Sequence, residues 1–348
     1  MSDITIGIIG SGQLGTALVK SAKKLNVRTI VLSDDKDGPA QNYCDEFIFS
    51  DYTDKKNLQK FIDHINICTY EFENIPLEIL NLINKFKKVY PNPNCLRIAQ
   101  NRILEKTFVN ELGIKTTKWK HIKSLVELKN NDNLFPGILK TCTMGYDGKG
   151  QYRINTFNDI NPKIDFSKEY ILEKFVNLKQ EISVAATRYK DGKITIYEPS
   201  ENVHVEGILK NSKIPANISQ NLFDRSQEIT KKIAENLDYV GTICVEFLIS
   251  ESGDILFNEK SCRPHNSFWK TVNTHNVSQF EGHVRAVCNL EIIAVGKISK
   301  AAEMINILGK EIDEYRSKTF NENEFFFDYG KKEIKDKRKM GHLTILKK

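Results

Sequence analysis

The sequence has few of the features that mark a membrane, secreted or nucleic-acid-binding protein. No apolar run approaches the roughly 18 residues that a helix needs to cross a bilayer. The seven cysteines are odd in number, lie at least 18 residues apart and form no C-x-x-C pair, so neither a disulfide framework nor a zinc ribbon is indicated. The first residues enter an apolar stretch without a basic, cleavable leader. We therefore expect a cytoplasmic protein with reduced thiols.

The charge of the chain is nearly balanced. Fifty-one Lys and Arg residues against 45 Asp and Glu residues leave a formal net charge of +6. This small excess is spread over both halves, which suits the capture of small anions better than the binding of a nucleic-acid backbone. A length of 348 residues with 40% hydrophobic residues predicts two or three globular domains.

Hydrophobic periodicity predicts a change of architecture near residue 95. Before it, short β-branched runs alternate with helical patterns, which predicts an open parallel sheet whose last strand lies near 88–90. Prolines at 91 and 93 then interrupt the alternation. The elements predicted after this point are a helix over 100–112, a section of strands and glycine turns from 136 past 200, an amphipathic helix over 224–237, and strands over 242–249 and 255–259.

The first strand is followed by a G-x-G-x-x-G pattern formed by Gly10, Gly12 and Gly15. Asp34 lies 19 residues further on, so the segment matches a dinucleotide-binding fingerprint and suggests a dehydrogenase. The glycines themselves only allow backbone N–H groups at a helix N-terminus to approach an anion of any kind. The motif alone is therefore a weak signal, and the rest of the chain favours another class.

Two glutamates, Glu246 and Glu259, lie at equal distances from the centre of a predicted turn at Ser252-Gly253. Equal distances place their carboxylates opposite each other, where charges about 5 Å apart repel by about 3 kcal/mol at an effective dielectric constant of about 20. Oxygen ligands on rigid strands suit Mg²⁺, which binds one or two carboxylates and a substrate phosphate. An edge hairpin whose acids face solvent or a lysine is the alternative, and spacing alone leaves both open.

Polar residues around this hairpin favour the metal-site interpretation. Asn258 adjoins Glu259, and the segment 263–267 (RPHNS) adds hydrogen-bond donors close by. On an ideal strand Asn258 faces away from Glu259. A bulge or a strand end is therefore expected at this point.

A glycine-rich segment, 145–151, follows a predicted strand that carries Lys140. Three glycines in six residues make a flap that can lay backbone N–H groups over phosphates, and Lys140 supplies a point charge. The segment lacks the G-x-x-x-x-G-K-[ST] pattern, and an ordinary hairpin turn is the alternative. The following strand, 170–176, offers backbone groups for an adenine edge, with Glu181 as an acceptor for ribose hydroxyls.

Together these features resemble the ATP-grasp superfamily, and within it the 5-(carboxyamino)imidazole ribonucleotide synthase family. The segments similar to that family are 10–15, 69–74 (TYEFEN), 100–106, 145–151 (GYDGKGQ), 263–267 (RPHNS) and 338–342 (RKMGH). The resemblance implies an α/β and α+β fold with three domains: an N-terminal open parallel α/β domain of pre-ATP-grasp type (1–99), a central ATP-grasp domain (100–293, glycine-flap subdomain about 120–180) and a small β-rich C-terminal domain (294–348). It also implies a homodimer.

The resemblance further implies a role for each matching position. The residues that would bind ATP are Arg102, Lys140, Gly145, Tyr146, Asp147, Gly148, Lys149, Gly150, Gln151, Glu173, Lys174, Phe175, Val176, Glu181, His204, Asn258 and Glu259. The residues that would bind aminoimidazole ribonucleotide are Gln13, Leu14, Glu73, Asp147, Lys331 and Arg338. Arg263, His265 and Asn266 would hold bicarbonate or its activated product, and Glu246 and Glu259 would hold Mg²⁺, with Mn²⁺ as a substitute.

The implied reaction is an ATP- and bicarbonate-dependent carboxylation in purine biosynthesis. Bicarbonate would attack the γ-phosphoryl group of MgATP, and the resulting carboxyphosphate, or CO₂ released from it, would react with the exocyclic amine of the ribonucleotide. The alternatives are another ATP-grasp ligase that joins a carboxylate to an amine, and a nucleotide-binding protein without catalysis. For 331–339 the alternative is a solvated basic tail, although the apolar strand predicted at 343–346 favours a folded segment.

Two segments depart from the usual pattern of this family. Residues 100–102 read QNR, where the family usually has QDR, and the change spares Arg102. Residues 268–271 read FWKT, where the family usually has GHWT. The second change adjoins the expected bicarbonate pocket, so we expect the shape of that pocket to differ.

Overall fold

The computed structural model describes residues 4–143, 145 and 150–347. Within these ranges no helix combines the length and the hydropathy that crossing a membrane requires. Three sheets organise the described residues, with four, nine and four strands. The predicted combination of a parallel α/β region with antiparallel strand regions is confirmed.

The N-terminal region folds around a four-stranded parallel sheet with strand order β3-β2-β1-β4. Its elements are β1 (Thr5–Ile9), α1 (Gln13–Lys24), β2 (Arg28–Ser33), β3 (Glu46–Phe49), α2 (Lys55–His64), β4 (Ile67–Tyr70) and α3 (Leu77–Phe86). All of β1 and β4 is buried, as expected for parallel strands covered on both faces. The strand predicted near 88–90 is reduced to one parallel bridge between Cys68 and Val89.

Two short helices, α4 (Pro93–Ala99) and α5 (Arg102–Glu111), lead out of this region. Sequence periodicity predicted α5 but not α4. Pro93 starts α4 rather than preventing a helix, because proline is tolerated in the first helical turn. The side chain of Asn101 accepts hydrogen bonds from the backbone N–H groups of Ile103 and Leu104. Asparagine therefore provides the N-cap that places Arg102 in the first turn of α5.

A small antiparallel sheet follows, with strand order β5-β8-β6-β7. Its elements are β5 (Trp119–Ile122), α6 (Leu125–Lys129), β6 (Gly137–Thr141), β7 (Gln151–Ile154) and β8 (Tyr170–Lys174). Ile138 of β6 pairs with Glu173 of β8, and Lys140 with Ile171. This pairing puts Lys140 and Glu173 on neighbouring strands.

The largest sheet has nine strands in the order β14-β13-β9-β11-β12-β15-β17-β16, with β10 paired to β9. Its strands are β9 (Leu178–Arg188), β10 (Ile194–Ile196), β11 (Ser200–Val205), β12 (Ile208–Ile214), β13 (Gly241–Ser250), β14 (Ile255–Ser261), β15 (Ala301–Leu308), β16 (Glu324–Asp328) and β17 (Lys339–Lys347). The associated helices are α7 (Gln220–Asn236), α8 (Thr271–Thr274), α9 (Gln279–Val287) and α10 (Glu311–Ser317). Pairing of β12 with β15 joins the C-terminal strands to the central sheet.

Helix α9 holds the N-terminal region against the central sheet. The backbone N–H of Thr242 in β13 donates to His283 Nδ1 over 3.0 Å, so the ring proton lies on Nε2 and faces Thr69 Oγ1 in β4 at 2.8 Å. The loop that follows β4 is thereby fixed close to the end of β14. The domain boundaries 1–99, 100–293 and 294–348 stay a prediction.

Candidate active site

One face of the large sheet is polar although it is buried. Glu246 of β13 pairs with Ser183 of β9, which pairs with Ser200 of β11. Asn202 of β11 pairs with Ser212 of β12. Cross-strand neighbours share a face, so these residues form a continuous polar surface, and the 263–270 segment covers it.

A bulge in the β13–β14 hairpin sets the two metal-site candidates opposite each other. Near the turn, Phe247 pairs with Phe257, a register that, if continued, would pair Glu246 with Asn258. The register shifts at this point and Glu246 pairs with Glu259, which makes Asn258 the extra residue of the bulge. The predicted opposition of the two acids is confirmed, but the bulge produces it rather than a turn symmetric about 252 and 253.

The two opposed carboxylates differ in their surroundings. Glu246 is 8% exposed, and the Glu259 side chain is 43% exposed. Burial and the neighbouring charge of Glu259 raise the pKa of Glu246 to about 8. Burial acts in the same direction on Glu259, but the pKa of Glu259 is lowered because Arg102, whose Nη1 lies 3.2 Å from Glu259 Oε2, acts together with Lys140 and Lys106. Without a cation between the two acids, the Glu246 carboxyl therefore retains its proton at neutral pH.

A buried cluster of one acid and two lysines lies beside this pair. Glu173 is 3% exposed, and its Oε2 accepts from Lys140 Nζ over 2.9 Å. Lys106 Nζ lies 3.6 Å from Glu173 Oε1. Burial alone would raise the pKa of Glu173, but the two lysines and Arg102 lower it to about 2. The cluster therefore carries a net positive charge next to the carboxylate pair.

The 263–267 segment places His265 beside Glu246. His265 Nε2 lies 3.5 Å from Glu246 Oε1, and His265 Nδ1 lies 2.8 Å from Ser267 Oγ. The side-chain amide of Gln279 holds the His265 backbone through two hydrogen bonds, one to His265 N and one to His265 O. Burial and the charge of Arg263 lower the pKa of His265 well below its usual range, so the imidazole is neutral.

The Asn266 carboxamide, the third predicted member of this pocket, accepts from Trp269 Nε1 over 3.3 Å. Further along the same polar face, His204 pairs with Glu181. Burial disfavours the imidazolium form of His204, yet Glu181 and Glu246 raise its pKa. Glu181, the predicted acceptor for ribose hydroxyls, and His204, a predicted ATP contact, are thus in direct contact.

The candidates for ribonucleotide binding lie around the loops that follow β1 and β4. Gln13 and Leu14 begin α1, and Leu14 is buried. Glu73 Oε1 accepts from Cys262 N over 2.6 Å, and Glu73 Oε2 lies 3.8 Å from Arg263 Nη2. Glu73 is thereby joined to the bicarbonate-pocket segment.

The two C-terminal candidates are held by backbone carbonyls. Lys331 Nζ donates to Lys339 O over 2.8 Å, and Arg338 Nη1 donates to Glu333 O over 3.0 Å. The charge of Lys331 also acts on buried Glu71, so Lys331 lies near the glycine turn after β1.

The glycine turn after β1 is filled by a carboxylate of the chain itself. The buried side chain of Glu71 accepts from Gly12 N over 2.8 Å and from Gly15 N over 3.2 Å. A Cβ added at Gly12 would lie 2.7 Å from Glu71 Oε1. These N–H groups are therefore satisfied internally, so the dinucleotide-like spacing here serves a carboxylate of the chain itself.

Several predicted ATP contacts lie at the edge of the small sheet. Gly145 O accepts from Arg102 Nη2 over 3.4 Å, and Gly150 and Gln151 lie at the start of β7. Lys174 N and Phe175 N donate to Lys118 O and Pro136 O, which occupies the backbone donors of the predicted adenine segment up to Val176. The remaining flap candidates lie outside the described residues: Tyr146, Asp147, Gly148 and Lys149.

The sequence did not reveal the residues that hold the candidate site residues in place. Lys106 counters the charge of Glu173, and Gln279 fixes the His265 backbone. A buried polar set lies beneath the predicted bicarbonate pocket: Ser183, Ser200, Asn202, Ser212, Ser267 and Lys270. The alternation of polar residues at 181 and 183, and at 200, 202 and 204, was a usable signal, but it normally indicates a solvent-exposed strand face.

Models of three protein families match the chain. An ATP-grasp domain matches residues 107–280, a ribonucleotide synthetase preATP-grasp domain matches 3–100, and a phosphoribosylaminoimidazole carboxylase C-terminal domain matches 302–348. These matches, with the fold and the opposed carboxylates, define an ATP-grasp ligase.

Relatives and solved structures narrow this class. N5-carboxyaminoimidazole ribonucleotide synthase of Bacillus subtilis is 36% identical, covering 98% of this chain and 91% of the relative, and that of Brucella melitensis is 36% identical, covering 99% and 96%. The ADP complex of the Staphylococcus aureus synthetase has a TM-score of 0.93 and 33% identity, covering 99% and 93% of the two chains. A structure from Aspergillus clavatus with ADP and 5-aminoimidazole ribonucleotide has a TM-score of 0.91 and 26% identity, covering 99% and 94%. The chain belongs to the N5-carboxyaminoimidazole ribonucleotide synthase family.

Proposed function

We propose that this protein uses ATP and bicarbonate to carboxylate the exocyclic amine of 5-aminoimidazole ribonucleotide in purine biosynthesis. The products are N5-carboxyaminoimidazole ribonucleotide, ADP and phosphate, formed through carboxyphosphate. The observation that carries this proposal is the opposed pair Glu246 and Glu259, with a cationic cluster on one side and neutral His265 on the other. Family membership supplies the substrates that this arrangement is suited to join.

Glu246 and Glu259 are the residues that would hold Mg²⁺, with Mn²⁺ as a substitute. They fit a divalent ion because burial and the opposed carboxylate of Glu259 together raise the pKa of Glu246 to about 8, and a cation between the two acids would offset both effects. Among the described residues no group of three or more His, Cys, Asp or Glu converges, which suits an ion that completes its shell with phosphate oxygens and water. When bound, the ion would neutralise charge on the transferring phosphoryl group.

The cationic cluster would receive the triphosphate. Arg102 of α5 pairs with Glu259, and Lys140 of the small sheet pairs with Glu173. The backbone of 145–151 would cover the phosphates. Lys106 would pair with Glu173 once Lys140 turns towards phosphate, so that no buried acid is left uncompensated. We assign the adenine contact to Val176 and the ribose contact to the Glu181–His204 pair.

Bicarbonate would bind between Arg263, His265 and Asn266. Arg263 offers a guanidinium for carboxylate oxygens, and neutral His265 can direct a ring proton at a developing negative charge without repelling the metal-site cation. A bicarbonate oxygen held here would attack the γ-phosphorus, and ADP would leave. The pocket would then keep carboxyphosphate, or CO₂ formed from it, away from water.

The ribonucleotide would bind along the loops after β1 and β4. Glu73 and Asp147 would orient its amine, and Gln13 and Leu14 would line the base. Its phosphate would be bound by Lys331 and Arg338, which provide a point charge and a planar fork of donors. We also propose a cytoplasmic homodimer, which light scattering of the purified protein tests.

An omission assay tests the proposed function. The protein is incubated with MgATP, bicarbonate and aminoimidazole ribonucleotide, each left out in turn, while ADP and the labile carbamate product are followed. We expect product only in the complete mixture. ADP release that depends on a different carboxylate and amine would instead indicate another ATP-grasp ligase, and MgATP binding without turnover would indicate a protein that only binds nucleotide.

A further inference from the structure

Lys270 is a fully buried lysine directly beneath the bicarbonate pocket. Its Nζ donates to Ser200 Oγ and Ser212 Oγ, each over 2.7 Å, and also to Ser267 O. An ammonium group has three donors and no acceptor, so these three contacts use all of its protons. None of the described residues pairs a carboxylate with it, and Glu198, which acts on it electrostatically, pairs with Lys297.

A chain of hydrogen bonds runs from Lys270 to His265. Ser212 Oγ lies 2.9 Å from Asn202 Oδ1, and Asn202 Nδ2 lies 2.9 Å from Ser183 Oγ. Ser183 Oγ lies 2.9 Å from Ser267 Oγ, which lies 2.8 Å from His265 Nδ1. The four linking residues are all buried, at 5% exposure or less.

The ammonium gives this chain a direction. Because Lys270 can only donate, Ser212 accepts from it, and the Ser212 proton goes to one of two acceptors within reach, Asn202 Oδ1 at 2.9 Å and Ser267 O at 2.8 Å. Asn202 then donates from Nδ2 to Ser183, whose proton goes to Ser267 Oγ. The Ser267 hydroxyl is left to donate to His265 Nδ1.

The backbone of the same segment agrees with this direction. Ser267 N also donates to His265 Nδ1, over 3.4 Å. With Nδ1 an acceptor of both groups, the single proton of the neutral imidazole lies on Nε2. Nε2 is the nitrogen that faces Glu246 and the proposed bicarbonate position.

We propose that Lys270 is a positioning residue that fixes the Nε2–H tautomer of His265 through this hydroxyl and amide chain. The inference rests on the proposed function only in giving His265 a role towards bicarbonate. It accounts for the lysine in the 268–271 segment, which the proposed reaction leaves without a role.

A structural role and a positioning role predict different behaviour of Lys270→Met. Burial lowers the pKa of Lys270 to about 7, so its charge is held at a cost. Lys270→Met relieves that cost but leaves Ser200 Oγ, Ser212 Oγ and Ser267 O without their common donor, which opposes the gain in stability. We therefore expect Lys270→Met to remain folded at the assay temperature while it loses activity.

The experiment compares wild type and Lys270→Met by steady-state kinetics, thermal unfolding and MgADP titration. We expect kcat/KM for bicarbonate to fall at least tenfold, with the Kd for MgADP within twofold of wild type. In protein labelled with ¹⁵N-histidine, with the His265 signal assigned by its absence in His265→Gln, the ring should lose its single Nε2–H tautomer. A Lys270→Met protein with wild-type kcat/KM for bicarbonate and an unchanged ring spectrum would overturn the proposal.

A second variant covers the case in which Lys270→Met does not fold. Ser212→Ala removes one acceptor of Lys270 and breaks the chain at its second member, so a loss in the same direction is expected. Ser226→Ala, an equally buried serine on α7 that donates to Phe223 O, is the matched control. If the two serine variants had equal kcat/KM for bicarbonate, the proposed hydrogen-bond chain from Lys270 to His265 would be refuted. Wild-type protein without carboxylation would instead reject the proposed function.

Discussion

Two regions of the molecule bring acidic side chains to positions that suggest an ion site, and they behave oppositely. At the glycine turn after β1, Glu71 accepts two backbone N–H groups, and no ligand is needed to complete the arrangement. At the β13–β14 hairpin, Glu246 and Glu259 oppose each other, and the described residues compensate them only in part. This difference shows that a sequence spacing typical of a binding site indicates function only where the polar groups of that site lack partners within the protein.

The largest effect is expected from Glu259→Gln in the hairpin. Loss of one carboxylate removes a ligand of the proposed Mg²⁺ and leaves Arg102 without its partner. We expect bicarbonate-dependent ADP release to fall about a thousandfold, which corresponds to about 4 kcal/mol of transition-state stabilisation. Steady-state assays over a range of magnesium concentrations measure this.

The matched control is Glu251→Gln, an exposed acid on the turn of the same hairpin. It changes the net charge equally without touching the opposed pair, so its activity should stay within twofold of wild type. If Glu259→Gln turned over at the wild-type rate, the hairpin acids would need no bound ion, just as Glu71 needs none. The two regions would then not differ in this respect.

A smaller effect, on stability, is expected from Glu71→Ala at the glycine turn. The substitution leaves the N–H groups of Gly12 and Gly15 without their acceptor in a buried position, which costs about 2 kcal/mol in the free energy of unfolding. Urea denaturation measures it, and Glu78→Gln, an exposed acid on α3, should lose less than about 0.5 kcal/mol. If Glu71→Ala were as stable as Glu78→Gln, the turn would not depend on its internal carboxylate.

Part of the difference between the glycine turn and the hairpin could be predicted from the sequence, and part could not. The parallel sheet and the opposed glutamates follow from local spacing, because strand periodicity and hairpin register act over a few residues. The bulge at Asn258 was expected from the same spacing, because on an ideal strand Asn258 would face away from Glu259. The acceptor role of Glu71 depends on contact between distant segments, so spacing did not reveal it. Lys106, Gln279 and Lys270 were missed for the same reason, since each acts through a partner more than ten residues away.

The pH dependence of stability should distinguish Glu71 from Glu173, the acid of the cationic cluster. Burial raises the pKa of Glu71 above 4.5, against the opposing effect of the Gly12 and Gly15 N–H groups. The folded protein then holds that proton more tightly than the unfolded chain, so stability is lost as the pH rises from 4.5 through the raised pKa. Glu173, with its pKa lowered to about 2, contributes stability above pH 4.5 that is lost as the pH falls towards 2.

Denaturant unfolding of wild type and Glu71→Gln from pH 3 to pH 8 measures both slopes. Glu71→Gln should reduce the decline above pH 4.5, to which Glu246 and buried Glu105 also contribute through their raised pKa values, and should keep the loss on the acid side. A variant whose profile parallels that of wild type throughout would show that Glu71 titrates alike in the folded and unfolded states.

The smallest expected effect is the response of the glycine turn to dinucleotides. Because the Glu71 carboxylate occupies the N–H groups that a pyrophosphate would use, a bound phosphate would have to displace a buried acid and repel it. NAD at millimolar concentration should therefore change the melting temperature by less than about 1 °C, whereas MgADP raises it through the hairpin site by mass action. A stabilisation by NAD that disappears in Glu71→Ala would mean that the carboxylate assists a ligand, and the glycine turn would join the hairpin as a binding region.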